Sequence, residues 1–151
     1  MKESMAVYPS HLDLDVVGFG NALVDVLSHQ DDEFIERIGA IKGGMNLVDG
    51  HRSAELYQLV GERTTVSGGS AANTVIGVNS LGGSCAYIGR VGNDDLGEVF
   101  ASDMERLSIG YTTPRAPAAD PTGRCIVFLS LIHISEPTRP ERISYAVFCL
   151  K

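Results

Sequence analysis

The chain has 151 residues, of which 44% are hydrophobic and 21% are charged, as is typical of one soluble domain with a sizeable core. Its formal net charge is −7, whereas nucleic acids and anionic membranes attract basic surfaces. The composition therefore argues against general binding to nucleic acid or to membranes.

The cysteine and histidine patterns predict neither a disulfide framework nor a metal site. The three cysteines are widely spaced without a C-x-x-C pair, which indicates reduced thiols in a cytoplasmic protein. The four histidines lack metal-ligand spacing. The segment from Met1 to Asp15 has no apolar signal region, and no apolar run approaches the roughly 20 residues of a membrane span. We therefore expect a cytoplasmic protein.

A short apolar run near the N-terminus, Val16 to Gly20, predicts a buried strand. Its G-x-G lacks the third glycine of a dinucleotide-binding fingerprint, which counts against an NAD-type oxidoreductase. Asn21 and Asp25 are expected to be exposed at the end of this strand, where open α/β sheets bind ligands. An aspartate there either accepts hydrogen bonds from substrate hydroxyls or caps a turn, and the local sequence leaves both open.

Helical and extended segments alternate along the rest of the chain. The predicted helices are Asp31 to Ile41, Asp49 to Gly61, Ala71 to Leu81 and a helix from Leu96 to Leu107 that is closed by Gly110. The predicted strands are Met45 to Val48, Thr64 to Val66, Ala86 to Val91 and Thr122 to Leu129. The alternation predicts a parallel α/β sheet, and the proline-rich Thr112 to Pro121 predicts a linker.

The most informative segment is V-S-G-G-S-A-A-N-T, Val66 to Thr74. Gly68 and Gly69 have no Cβ, so a ligand can approach their backbone closely. The helix that follows offers unpaired N–H groups and a positive dipole end, and Ser70 and Asn73 add polar side chains. The segment predicts a site for a polyhydroxylated or anionic small molecule. The alternative is a tight turn before an ordinary helix.

Four segments, in this order, resemble the PfkB (ribokinase-like) family of sugar and nucleoside kinases. They are G-N-A-L-V-D at Gly20 to Asp25, V-S-G-G-S-A-A-N-T at Val66 to Thr74, L-G-G through Y-I-G-R-V-G-N-D-D-L-G at Leu81 to Gly97, and P-T-G-R from Pro121. The second and third segments together are specific. The resemblance covers about Asp15 to Leu129, and the spacing of Asn21 and Asp25 is most similar to the adenosine-kinase branch.

The resemblance implies a Rossmann-like (ribokinase-like) α/β/α sandwich, of which this chain is the N-terminal part, with part of a small β lid. Lys42 to Val48 and Thr122 to Leu129 would contribute to that lid. The implied activity is ATP-dependent phosphoryl transfer to a hydroxyl of a nucleoside or sugar, with ATP and Mg²⁺ as cofactors. Adenosine, other nucleosides and sugars stay open as substrates, and no oligomeric state is predicted.

The resemblance also assigns substrate-binding roles. The residues concerned are Asn21, Asp25, Gly68, Gly69, Ser70 and Asn73. Asp25 would bind sugar hydroxyls with the help of Asn21. Gly68 and Gly69 would let the sugar lie against the backbone, where Asn73 would hydrogen-bond to it.

The chain departs from the family in two respects. It lacks the family's D-T-x-G-A-G-D segment, which supplies the anion hole and the catalytic base, and the family's ATP site is absent with it. We therefore expect no catalytic residue here and little or no catalysis by this polypeptide alone. The competing hypothesis is a non-catalytic module that binds a nucleoside or sugar.

The second departure is the C-terminal segment. Residues 130–151 begin S-L-I-H-I-S-E-P-T-R-P and resemble a peptide translated from sequencing-adapter DNA. We expect residues 1–129 to be the substrate-binding part of a kinase domain and 130–151 to be a non-native tail. The alternative is a divergent C-terminus with a short apolar strand, Tyr145 to Leu150. A sheet cut in half exposes an apolar edge, so marginal stability and aggregation are expected.

Overall fold

The structure is a computed structural model that describes residues 13–117 and 120–129 and the backbone of 145–150. Its strands are β1 (Val16–Phe19), β2 (Leu23–His29), β3 (Met45–Val48), β4 (Thr64–Gly68), β5 (Cys85–Ile88), β6 (Gly123–Leu129) and β7 (Tyr145–Leu150). Its helices are α1 (Asp32–Arg37), α2 (Gly50–Leu59), α3 (Ser70–Ser80) and α4 (Asp95–Arg106). The first compact unit contains the chain up to Ala22 and Ser67–Thr122, and the second contains Leu23–Val66 and the chain from Gly123.

In the first unit, β1 and β5 pair in parallel, with Val16 opposite Cys85 and Phe19 opposite Ile88. Helix α3 packs against both strands. Gly18 of β1 allows a close approach, because a Cβ on this residue would lie 2.6 Å from Cγ1 of Val75 on α3. The parallel pairing predicted from the alternation of elements is therefore present in this unit.

The prediction of a fully buried first strand is wrong. Val17 is 52% exposed and Phe19 is 81% exposed, whereas Val16 and Gly18 are half-buried. Helix α3 covers only one face of β1, so alternate side chains of this strand point away from the helix.

Aspartates cap the starts of three of the described helices. Asp31, Asp49 and Asp94 precede α1, α2 and α4, and each side chain accepts a hydrogen bond from the backbone N–H three residues later. Helix α3 differs, because Gly69 occupies its N-cap with φ of 99° and no side chain caps its amides. Its first N–H groups are therefore left to backbone, water or a ligand.

The helix ends confirm one prediction and correct another. Helix α3 ends at Ser80, one residue before the predicted Leu81, and Gly82 follows with a φ of 92°. Helix α4 ends at Arg106, and the residue with positive φ that follows it is Ser108, at 57°, and not the predicted Gly110. The N–H of Ile109 closes this end by donating to the Met104 carbonyl at 2.9 Å. Gly110 instead forms a parallel bridge with Ala86 of β5. The local pattern assigned this glycine to the helix end, but it takes part in a long-range contact.

The second unit contains a five-stranded sheet in the order β3-β7-β6-β2-β4. Strand β6 is parallel to β2 and antiparallel to β7. The predicted parallel pairing is present between β2 and β6 and between β3 and β7, and β6 and β7 add an antiparallel pair. Strands β6 and β7 are consecutive in the chain, and antiparallel neighbours need no crossover helix. Both segments that the resemblance assigns to a lid, β3 and β6, lie in this sheet.

Helices α1 and α2 contribute to one core with this sheet. Its buried residues are Val26, Phe34, Ile35, Ile38, Leu56, Val60, Ile126 and Phe128. The rings of Phe34 and Phe128 meet edge to face, with their centroids 5.4 Å apart. On β3, in contrast, Met45 is 70% exposed and Leu47 is 65% exposed. Apolar side chains of this sheet thus reach solvent.

The C-terminal segment is described only in part. Residues 145–150 form β7, as the alternative of a divergent C-terminus expects. Residues 130–144 and 151, which include the adapter-like sequence, lie outside the described residues. The non-native origin of the tail stays a prediction. Within the described ranges, no helix has the length and hydropathy needed to cross a membrane.

Candidate functional site

The C-terminal end of β1 meets the first turn of α3. The N–H of Gly20 donates to the Ile88 carbonyl at 3.1 Å, which keeps this end beside β5. A Cβ on Gly20 would lie only 2.9 Å from Cβ of Ala71. Asn21 follows Gly20 and is exposed. The structure therefore places Asn21 at the end of the first unit where α3 begins.

The glycine pair shapes the start of α3. Gly68 is buried, and Gly69 combines φ of 99° with ψ of 139°, a conformation that residues with a Cβ rarely adopt. The Gly69 carbonyl accepts a hydrogen bond from the N–H of Asn73 at 2.8 Å. Ser70 and Asn73 are exposed. All of the predicted site residues of the first unit therefore lie at the end where β4 turns into α3.

Asp103 is a residue of this site that the sequence analysis missed. Its carboxylate accepts a hydrogen bond from the N–H of Ser67 at 2.9 Å, immediately before the glycine pair. Burial would raise the pKa of Asp103, but hydrogen bonds from Arg106 and Ser67 outweigh that effect and lower it. Asp103 lies on α4, 36 residues from Ser67, and no local pattern marks the contact.

The Y-I-G-R-V-G segment packs its backbone against the end of β1. A Cβ on Gly89 would lie 2.5 Å from the Gly20 carbonyl oxygen. The hydroxyl of Tyr111 donates to the Gly89 carbonyl at 3.0 Å, and the Gly89 N–H donates to Thr113 Oγ1 at 3.3 Å. The linker therefore braces this backbone, and the missing side chain of Gly89 is what allows the close approach.

The neighbouring N-D-D turn has a structural role. One oxygen of Asp94 accepts a hydrogen bond from the N–H of Gly97 at 2.8 Å and so caps α4. The other accepts from the N–H of Thr122, also at 2.8 Å. Asp94 thereby joins the start of α4 to the residue that precedes β6.

The sequence predicted that Asp25 is exposed at the end of a strand, and this prediction is wrong. It is the third residue of β2, directly opposite Cys125 of β6, and it is half-buried. The chain resumes as a strand at Leu23, so Asp25 alternates with the buried Val24 and Val26. Asp25 belongs to the second unit, whereas the other predicted site residues belong to the first.

The environment of Asp25 disfavours its charged form. Burial raises the pKa of this carboxyl above its ordinary value of 3.8. Among the described residues, none donates a hydrogen bond to Asp25 or pairs with it. The carboxylate therefore has capacity to accept hydrogen bonds from another molecule.

Comparison with known proteins identifies the family. The sequence profile described as pfkB family carbohydrate kinase matches residues 34–131. A probable fructokinase-7 from Arabidopsis thaliana is 51% identical over 41 residues, which are 27% of this chain and 12% of that protein.

Two solved structures carry the likeness across most of the chain. A probable sugar kinase from Rhizobium etli CFN 42 matches with a TM-score of 0.72 and 34% identity, over 91% of this chain and 38% of that one. The adenosine kinase from Sinorhizobium meliloti matches with a TM-score of 0.71 and 36% identity, over 91% of this chain and 39% of that one.

The chain thus spans less than two fifths of these relatives, and its mixed α/β architecture matches theirs. The predicted ribokinase-like fold class is confirmed. The profile match covers more than half of the chain. This match and the two structural matches indicate the same family as the motifs at the glycine turn and after β5. This protein belongs to the pfkB family of carbohydrate and nucleoside kinases.

Proposed function

We propose that this chain supplies the substrate-binding part of an ATP-dependent phosphotransferase that acts on a hydroxyl of a nucleoside or sugar. We also propose that the 151-residue polypeptide performs little or no phosphoryl transfer by itself. The main supporting observation is the Gly68–Gly69 turn, which opens α3 without a side-chain cap next to the exposed Asn21.

This turn suits a ligand with many hydroxyl groups. Bare backbone at Gly68 and Gly69 permits van der Waals approach, and the uncapped N–H groups of α3 are hydrogen-bond donors. Asn21 and Asn73 carry both amide donors and acceptors. Several directional bonds hold a sugar in one orientation, and orientation is the main requirement of phosphoryl transfer.

Asp25 supplies the acceptor in this proposal. Its unpaired, half-buried carboxylate would accept hydrogen bonds from two substrate hydroxyls. An analogue that lacks one hydroxyl would leave the carboxylate without a partner, and such losses make polar sites selective. The raised pKa of Asp25 is consistent with a partly buried carboxylate that has no hydrogen-bond donor among the described residues in the absence of substrate.

The cofactors implied by the family do not fit the described residues. The chain has no G-A-G-D segment and no G-x-x-x-x-G-K-[ST] loop to cradle phosphates. Within the described residues, no three carboxylate, histidine or cysteine side chains cluster as ligands for a cation. We therefore derive no step through ATP or Mg²⁺. The second candidate function, a non-catalytic module that binds a nucleoside or sugar, is favoured only if the native chain is this short.

Isothermal titration of the full chain with adenosine and with D-fructose tests the binding proposal. We expect one of them to bind, and Asp25→Ala to weaken its binding about 10- to 100-fold, as expected for lost hydrogen bonds to a charged group. Asp120→Ala, which removes an exposed carboxylate, is the matched control and should bind as the wild type does. Equal affinity in the wild type and Asp25→Ala would exclude the role of Asp25.

A coupled assay for ADP release separates the remaining hypotheses. We expect the full chain to bind its ligand without turning over ATP. Sustained turnover by purified protein would refute the proposed inactivity. A longer reading frame that encodes G-A-G-D would remove the non-catalytic alternative, since the binding residues would then belong to a complete kinase.

A further inference from the structure

Two guanidinium groups stack on one tyrosine ring in the second unit. The Cζ atom of Arg63 lies 4.1 Å from the ring centroid of Tyr57, and that of Arg124 lies 5.0 Å from the same centroid. Tyr57 is on α2, Arg63 precedes β4, and Arg124 is the second residue of β6. We call these three residues the arginine–tyrosine cluster.

The hydrogen bonds of the two arginines differ. Nη1 of Arg63 donates to the carbonyls of Val60 at 2.8 Å and Tyr57 at 3.3 Å, at the C-terminal end of α2. Arg124 is half-buried, and its Nε is a buried donor without a partner. A guanidinium has five N–H donors, and stacking on a ring satisfies none of them. Among the described residues, Arg124 therefore has no hydrogen-bond acceptor.

Within the part of the chain that the structure describes, neither arginine pairs with a carboxylate. The ion pairs of the described residues include Arg52 with Glu55 and Lys42 with Asp32, but none that involves Arg63 or Arg124. The acidic residue nearest in sequence, Glu62, is exposed, and only its backbone carbonyl is bonded, to the Ser28 hydroxyl at 2.9 Å. Two like charges on one ring repel each other, and a bound anion would offset that repulsion.

We propose that the arginine–tyrosine cluster binds a phosphate group. Guanidinium groups match the geometry of phosphate oxygens and form paired, charge-assisted hydrogen bonds with them. The unused donors of Arg124 would bind directly, and Arg63 would add charge and its free N–H groups. This inference does not depend on the proposed substrate site, because none of its residues belongs to that site.

Nuclear magnetic resonance of the full chain tests the proposal. Inorganic phosphate is titrated at constant ionic strength, with sodium chloride as the replaced salt, and the arginine Nε–H signals are followed. We expect a saturable shift of the Arg124 signal, and binding at least tenfold weaker in Arg124→Ala. Arg124→Lys keeps the charge but loses the planar fork, so it should bind with intermediate affinity.

Arg37→Ala is the matched control, because Arg37 stacks singly on Phe34 at 5.1 Å in the same unit. It should bind phosphate as the wild type does. If Arg124→Ala proves unfolded by circular dichroism, Arg124→Lys and the wild-type titration decide the question. Equal responses to phosphate and chloride, or equal losses in Arg37→Ala and the Arg124 variants, would overturn the proposal. A parallel titration with AMP distinguishes free phosphate from a phosphate monoester as the ligand.

Discussion

At the scale of single residues, Asp25 combines a cost with a proposed use. Strand β2 carries its carboxylate into a half-buried position beside Cys125, where no described residue pairs with it. Partial loss of hydration without a compensating partner is unfavourable for a charged group. A carboxylate in that situation lowers the stability of the free protein. It would raise the affinity for a ligand whose hydroxyl groups donate hydrogen bonds to it.

The raised pKa of Asp25 predicts a pH-dependent stability. The folded state holds the Asp25 proton more tightly than the unfolded chain, so the contribution of this group to stability is highest below pH 3.8. It falls as the pH rises through the raised folded-state pKa and stays low above it. Asp25→Asn is neutral throughout, so it should unfold at higher urea concentration than the wild type at pH 7.

The gain should be about 1 kcal/mol or less, since the carboxylate remains partly solvated. It should shrink as the pH is lowered from the raised folded-state pKa towards 3.8 and should be absent below that value. Asp120→Asn, at an exposed position, should leave the urea midpoint unchanged. Identical midpoints for Asp25→Asn and wild type at pH 7 would show that burial does not penalise this charge.

At the scale of elements, two helices end in the same geometry with different residues. In α3 the left-handed position is Gly82, and in α4 it is Ser108. In both, the next N–H donates to the carbonyl five residues back, from Gly83 to Val78 and from Ile109 to Met104. A side chain in the left-handed conformation costs about 1 kcal/mol, and glycine avoids that cost.

Exchanging the residue types should therefore move stability in opposite directions. Ser108→Gly should raise the free energy of unfolding by about 1 kcal/mol, and Gly82→Ser should lower it by about as much. A Cβ at Gly82 would meet no heavy atom within 4 Å, so any loss there comes from the backbone and not from a clash. Urea denaturation measures both, and shifts of the same sign would contradict the argument.

At the scale of the whole molecule, the five-stranded sheet carries exposed apolar side chains on β3. The chain spans less than two fifths of its structural relatives, and β3 presents Met45 and Leu47 to solvent. Adjacent large apolar groups on an accessible sheet favour association. The expectation of aggregation that follows from the sequence has a structural location in these residues.

Leu47→Lys should reduce self-association of the purified chain. Leu47 is 65% exposed, so the substitution should change the free energy of unfolding by only about 0.5 kcal/mol. Leu56→Ala, at a fully buried position of the α2 core, is the contrasting variant and should cost about 2–5 kcal/mol. Analytical ultracentrifugation measures the first effect, and a wild type that is monomeric with a cooperative unfolding transition would contradict it.

Features set by neighbours in the chain could be predicted from the sequence. The cap of α1 at Asp31 and the left-handed conformation of Gly82 after α3 both depend on hydrogen bonds or backbone conformation within about five residues. The glycine turn and the position of Asn21 could also be predicted, because each lies in a short continuous motif that carries the family resemblance. Local interactions of this kind can be predicted from a single sequence.

Tertiary structure decided what depends on distant partners. Burial of Asp25 requires β6, about 100 residues further along the chain, and the bond from Ser67 to Asp103 joins β4 to α4. Gly110 pairs beside β5 instead of ending α4, and the arginine–tyrosine cluster joins Tyr57 and Arg63 to Arg124. The physical reason is that burial and charge pairing depend on which distant segments meet in space. The spacing of residues along the chain records only interactions between near neighbours.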